Sequence, residues 1–212
     1  MSSVRSRISA AILAGGRARR LGGVDKAALL LGGSRIIDRQ LAILTGISDE
    51  VMIVANDASR YAAFQLPVVP DRIPDAGALG GVYTALATAR HEHVLVLACD
   101  LPFVTRALLD RLVAEAGEDD AVVPRSSRGL EPLCAIYRTR CAPALREHIE
   151  RGERQVSGWV GGLRVRELDP MALETYDPLG RLFANVNTPH DYARARAWVE
   201  ENQKPPEDRI TE

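Results

Sequence analysis

The stretch that decides the fold is ISAAILAGGRARRLGGVDKAALLL, Ile8 to Leu31. Its opening run, Ile8–Leu13, is apolar, too short to cross a bilayer, and is followed by Gly15 and Gly16. Backbone without Cβ turns sharply there and can bring its amides against a ligand. From Gly16 to Lys26 the chain carries Arg17, Arg19, Arg20 and Lys26 against one acid, Asp25. Fixed cations beside open amides suit a polyphosphate better than a neutral ligand. An ordinary strand-to-helix loop with solvated arginines is the bland alternative.

Two familiar phosphate loops are excluded by counting. A P-loop has four residues between its first glycine and Gly-Lys-Ser/Thr, whereas Gly16 to Gly22 encloses five and Lys26 follows Asp25. The dinucleotide fingerprint G-x-G-x-x-G is absent after this strand, which removes the main support for a nicotinamide or flavin ligand.

Further along, the apolar runs Val51–Ala55 and Val94–Ala98 and the brief Val68–Val69 end at Asn56 and Asp57, at Cys99 and Asp100, and at Pro70 and Asp71. They lack polar alternation and are separated by helical patterns, the mark of parallel strands covered on both faces. Ile37, Leu41 and Leu44 outline one helix, closed by Gly46, and a glycine-rich turn, Asp75–Gly81, opens another. In such sheets ligands sit outside the carboxyl ends of the strands, where Gly15, Asn56, Asp71 and Asp100 all fall. Taken singly, an Asp after a strand is more often a turn or capping residue; four strand ends carrying glycine, amide or carboxylate groups at one edge point to a site.

The second half is less regular. Thr105 caps a helix bearing Leu108, Leu109 and Leu112; strands are expected at Asp120–Pro124, Pro132–Tyr137 and Leu163–Leu168, with Arg125–Glu131 as a polar loop between the first two. Helices are expected around Ala142–Ile149 and within Glu153–Gly162. Thr188, Pro189 and Asp191 mark the start of a last helix, and the tail after Trp198 is expected to fray.

The 212 residues, 46% of them hydrophobic, suffice for one domain, with a core over about 8–200. With 27 Lys+Arg against 28 Asp+Glu, no long-range attraction to nucleic acid or anionic membrane is expected. Cys99, Cys134 and Cys141 have neither C-x-x-C spacing nor an even count, as expected of reduced thiols in a cytoplasmic protein, and MSSVRSR is followed by no run long enough for a signal peptide. His91 and His93 lack the i, i+4 spacing of a helical metal pair and are expected to be solvated loop residues.

LAGGRARRLGGVDK resembles the signature of the GTP-dependent molybdenum cofactor guanylyltransferases, a branch of the nucleotidyltransferases. VAND (Val54–Asp57), VVPD (Val68–Asp71), GALGG (Gly77–Gly81), ACDLPFV (Ala98–Val104), PLCAIYR (Pro132–Arg138) and NVNTP (Asn185–Pro189) follow in that family's order. The likeness covers roughly residues 8 to 200, with Leu21 where methionine is common and Arg17 at a variable position. It implies an α/β three-layer sandwich with a mainly parallel sheet, akin to nucleotide-diphospho-sugar transferases. It also implies transfer of GMP from GTP to the phosphate of molybdopterin, with release of pyrophosphate. Backbone groups of Leu13, Ala14 and Gly15 and the side chains of Lys26, Asn56, Asp71 and Asp100 would then meet GTP. Asp100 would also hold Mg2+, and Asn185 and Asn187 would face molybdopterin beside the basic loop Arg125–Arg128. Partners would be GTP, molybdopterin and, transiently, cofactor-synthesis and acceptor enzymes.

The chemistry of the residues agrees. Attack of a phosphate monoester on the α-phosphorus brings two anions together, and Arg20, Lys26 and a magnesium ion on Asp100 can screen them. Either Asp71 or Asp25 could add a second carboxylate. Direct in-line displacement needs no Cys99 nucleophile. A guanine preference is expected if the carbonyls around Leu13–Ala14 and the Asn56 amide oxygen accept from N1–H and N2–H2. In NVNTP, extended backbone would turn Asn185 and Asn187 to one side and Val186 to the other, and changing both would spare GTP affinity provided their pocket is separate from that of GTP; a pair of Asx turns is the alternative. Competing readings are a nucleotidyltransferase using CTP or a sugar phosphate, a non-catalytic binder of GTP or the cofactor, and a partner-docking loop.

Overall fold

The computed structural model describes residues 6–14 and 26–203. Strand β1 (Ser6–Leu13) lies between β4 (Ser48–Val54) and β6 (His93–Ala98), parallel to both, and β5 (Val68–Val69) adds outside β4. Beyond β6 come β9 (Cys134–Arg138), β7 (Ala121–Ser126) and β10 (Val165–Leu168). Only β9 runs against its neighbours in this path, so β7 and β10 point the same way as β1. The mainly parallel α/β sheet expected from the apolar runs is therefore present.

Both faces of the sheet are buried, which is why its strands carry no polar alternation. Ile8, Ala10 and Ile12 join one core with α1 (Ile36–Ile47) and α3 (Arg106–Glu115), while Ala11, Met52 and Val54 join another with α2 (Gly77–Thr88) and α4 (Ala142–Glu150). Successive strand residues feed opposite helical layers, giving three layers around one sheet. A smaller cluster, Leu31, Ile36, Val186, Ala195 and Val199, fastens the last helix, α7 (Pro189–Gln203), to a hairpin of β2 (Leu30–Leu31) and β3 (Ser34–Arg35).

Several local expectations need correction. Gly46 does not end α1, which continues to Ile47 and is capped by Ser48. Arg125–Glu131 is no simple loop: β7 extends to Ser126 and pairs with β8 (Gly129–Leu130) across a tight turn, with Gly129 at φ 117°. His91 and His93 are not merely solvated; the Nε2 of His91 lies 2.9 Å from the Asp49 carboxylate, and His93 opens β6 with its ring 3.1 Å from the Gly117 carbonyl. The helix α5 (Val156–Val160) falls where expected, whereas a 3-10 turn at Ala58–Phe64 and α6 (Pro170–Glu174) were not foreseen. All three cysteines are buried free thiols. Among the described residues no helix is long and apolar enough to cross a membrane.

Candidate active site

A cleft of about 430 Å³ opens at the carboxyl edge of β1, β4, β5 and β6. Leu13 and Ala14 enter it from the end of β1, where pairing continues on both sides: the Ala14 amide donates to the Val54 carbonyl (2.9 Å) and the Cys99 amide to the Leu13 carbonyl (3.1 Å). Asn56, two residues beyond β4, and Asp71, two beyond β5, close the outer wall. Their side chains are tied together, because the Asp71 amide donates to Asn56 Oδ1 (2.8 Å) and Asn56 Nδ2 donates to the Asp71 carboxylate (3.2 Å). Burial nonetheless pushes the Asp71 carboxyl above its usual range, partly offset by Asn56.

Asp100 sits two residues past β6, and its carboxylate lies 3.6 Å from Lys26 Nζ, with both side chains about four-fifths shielded. Desolvation raises the Asp100 pKa, and the Lys26 charge opposes that shift without cancelling it. Lys26 also donates to Asn187 Oδ1. The main chain of the same segment reaches Asp100 directly, since the Val186 amide donates to the Asp100 carbonyl at 2.9 Å.

The floor of the cleft explains GALGG. A Cβ at Gly81 would lie 3.3 Å from Leu13 Cδ2, a tight contact, so the bare position lets α2 approach the end of β1 without displacing the Leu13 side chain. Gly77, at φ 61°, starts α2 in left-handed backbone, and Asp75, two residues earlier, is also left-handed at φ 56° without being a glycine. Asp75, Gly77, Ala78 and Leu133 line the cleft without having been foreseen. The turn before a helix was visible in the sequence; that its side chains face this cleft depends on how α2 packs on β1.

Of the expected nucleotide residues, Leu13, Ala14, Lys26, Asn56, Asp71 and Asp100 all line this one cleft. Gly15 and the catalytic candidate Arg20, like Arg17, Arg19 and Asp25, lie outside the described residues. Each acceptor assigned to guanine already holds one internal donor, the Leu13 carbonyl the Cys99 amide, the Ala14 carbonyl the Tyr61 hydroxyl (3.3 Å) and Asn56 Oδ1 the Asp71 amide, which leaves a second lone pair on each oxygen. The NVNTP segment departs from the extended strand expected of it. Asn185 and Asn187 do keep partial exposure while Val186 is buried, yet residues 183–187 form no strand, and Asn187 is bonded to the lysine of the cleft.

A smaller hollow of about 230 Å³ lies between the β7–β8 hairpin and α6. Arg128 from that hairpin donates to the Phe183 carbonyl, so the basic loop does stand next to the segment leading into NVNTP. Arg125, by contrast, is committed to Glu167.

Among the lining residues described, Asp71, Asp75 and Asp100 are acids and Lys26 is the base, a set suited to a cation bridging protein and polyphosphate. Among the described residues no group of three or more His, Cys, Asp or Glu side chains could hold a metal ion by itself. The last helix is fixed as its sequence predicts: the Asp191 amide donates to Thr188 Oγ1 (3.1 Å), and the Asp191 carboxylate accepts from the Thr188 amide (3.0 Å).

Residues 10–165 match the family model described as the MobA-like NTP transferase domain. A molybdenum cofactor guanylyltransferase of Desulfosudis oleivorans is 33% identical over 193 residues, 91% of this chain and 96% of that one. A probable molybdenum cofactor guanylyltransferase of Chloroflexus aggregans is 35% identical over 202 residues, 92% of this chain and 97% of its own. Among solved structures, molybdopterin-guanine dinucleotide biosynthesis protein A of Archaeoglobus fulgidus superposes with a TM-score of 0.78 at 27% identity, covering 91% of this chain and 99% of that one. A nucleotide-sized cleft at the strand edge and this likeness over nearly the whole length agree: the chain belongs to the MobA-like NTP transferase family of nucleotidyltransferases.

Proposed function

We propose that this protein transfers GMP from GTP to the terminal phosphate of molybdopterin, giving the guanine dinucleotide cofactor and pyrophosphate. The observation that carries the reading is the convergence of Leu13, Ala14, Lys26, Asn56, Asp71 and Asp100 on one cleft at the carboxyl edge of the sheet. In the reaction an oxygen of the acceptor phosphate attacks the α-phosphorus, and the bond from that phosphorus to the bridging oxygen of the pyrophosphate breaks. Lys26, held between Asp100 and Asn187, is poised to lend its charge to the phosphate oxygens. The Asn56–Asp71 pair, at the ends of the two outer strands, supports the nucleoside end.

Asp100 is the residue to hold Mg2+: its largely shielded carboxylate lines the cleft, with Lys26 as the cation beside it among the described residues, and burial raises its pKa despite that lysine. When bound there, a divalent ion supplies charge compensation to the phosphates. Asn185, and the amide nitrogen of Asn187 that has no partner among the described residues, are assigned to molybdopterin, with Arg128 near its far side.

Incubation with GTP, Mg2+ and molybdopterin should yield the dinucleotide and pyrophosphate together, and binding without pyrophosphate release would reject the reading in favour of a carrier. In a thermal-shift series at equal concentration GTP should raise the melting temperature more than CTP or ATP, since a ligand that binds only the native state stabilises it by RT ln(1 + [L]/Kd) and the tightest binder shifts it most. A larger shift with CTP would move the assignment to a cytidylyltransferase.

A further inference from the structure

Helix α1 presents an apolar face to the sheet, Ile37, Leu41 and Leu44, interrupted by one amide, Gln40, which is 2% exposed. An uncharged side chain of similar size such as methionine would fill that position without burying polar atoms. Gln40 instead reaches across to the turn that follows β6. Its Nε2 donates to the Ala98 carbonyl (2.9 Å) and to the Leu101 carbonyl (3.1 Å), so both amide hydrogens are used on the two residues that bracket Cys99 and Asp100. The orientation of the amide follows from its partners, since the reverse would set Oε1 against two carbonyl oxygens. Gln40 Oε1 is buried without a hydrogen-bond partner among the described residues, an unfavourable arrangement that a purely packing role would not require.

We propose that Gln40 is a positioning residue: it fixes the Ala98–Leu101 turn and thereby the direction in which Asp100 presents its carboxylate. This rests on the reading of Asp100 as the metal-holding residue. The sheet still holds the Cys99 amide, through the Leu13 carbonyl (3.1 Å), but beyond it the turn's own bond, from the Leu101 amide to the Ala98 carbonyl, is long at 3.4 Å. Gln40 clamps the turn from the α1 side, while the Val186 amide holds the Asp100 carbonyl from the C-terminal segment. The carboxylate that faces Lys26 is thus set by two elements remote in sequence.

The test is a double-mutant cycle on the full chain, read as the affinity for Mn2+ with a non-hydrolysable GTP analogue, alongside kcat and melting temperature. Gln40→Met should weaken metal binding by about tenfold in the natural background and have no further effect in Asp100→Ala, because one residue acts through the other. The half-saturating Mg2+ concentration should rise while the KM for GTP stays within about twofold. Equal losses in both backgrounds, or none in the first, would overturn the proposal. If Asp100→Ala itself leaves metal affinity unchanged, the assignment of Asp100 falls and this proposal with it; if Asp100→Ala loses affinity and Gln40→Met does not, only the proposal falls. Should Gln40→Met fail to fold, Gln40→Asn, one methylene too short to span both carbonyls, runs the same cycle with the same outcomes.

Discussion

The two ends of the sheet edge are built by different rules. On the side of β1, β4, β5 and β6, each parallel strand delivers a functional group within two residues of its last paired position: Ala14, Asn56, Asp71 and Asp100. On the side of β9 and β7, the antiparallel strand breaks that rhythm, and the groups at the edge come from a hairpin and from the irregular segment before α7. The first side is a row of separate strand ends, with Asn56 and Asp71 tied to each other across two of them. Among the described residues, the second reaches the cleft through tertiary bonds, Asn187 to Lys26 and Val186 to Asp100. Damage on the first side should therefore remove one function at a time, whereas damage to the NVNTP segment should spread into the nucleotide side.

The largest effect is expected from Asp100→Ala, which tests whether the strand-end row contains the reacting centre. Turnover should fall by about 10³-fold or more, while circular dichroism and chromatographic behaviour stay native, because the carboxylate faces the cleft rather than the core. Activity close to normal at saturating Mg2+ would remove Asp100 from the mechanism. Next comes Lys26→Ala, with an expected loss of about 10²-fold in kcat if its charge acts in the transition state. Were kcat preserved and only KM raised, Lys26 would be a binding residue.

Asn187→Ala and Asn185→Ala, made separately, address the coupling between the sides. Removing Asn187 takes away an acceptor of the lysine, so turnover should drop by about tenfold, the scale of one charge-assisted hydrogen bond, and nucleotide affinity should fall with it. Asn185→Ala should weaken molybdopterin binding yet leave GTP affinity within about threefold. Identical behaviour of the two variants towards GTP would show that the segment acts as one unit, or not at all.

How much of this was visible in the sequence follows the same division. Apolar runs without alternation gave the parallel strands, and the rule that ligands gather at their carboxyl ends was enough to pick out Asn56, Asp71 and Asp100. The cations of the opening loop pointed to Lys26 as a phosphate partner, and the resemblance of LAGGRARRLGGVDK and its companion motifs to a known family added Leu13 and Ala14. Hydrogen bonds between residues far apart were not visible. Nothing local marks Asn187 as the acceptor for Lys26, 161 residues away, or Gln40 as the clamp on a turn about 60 residues further on. Asp75 escaped for a related reason, since its left-handed backbone becomes informative only once α2 is seen packed against Leu13. The β7–β8 hairpin was hidden by its brevity, two residues a side, in a stretch whose charges look like loop.

The smallest effect concerns stability and has the opposite sign to the catalytic ones. Burial holds the Asp100 pKa above its ordinary value of 3.8 despite the nearby lysine. A carboxyl whose folded pKa is raised binds its proton more tightly in the native state than in the unfolded chain, so its contribution to stability is present below the ordinary pKa and lost as pH rises through the folded value. At neutral pH the ionised group is therefore a net cost to the ligand-free protein. Asp100→Asn, neutral and nearly isosteric, should raise the melting temperature of the ligand-free protein at pH 7, and the advantage should shrink as pH is lowered towards 3.8. Adding Mg2+ and GTP should reverse the order, because only the carboxylate gains from the cation. If Asp100→Asn is instead the less stable protein at pH 7, the attraction of Lys26 outweighs burial, and Asp100 is held by its ion pair rather than kept in readiness for a metal.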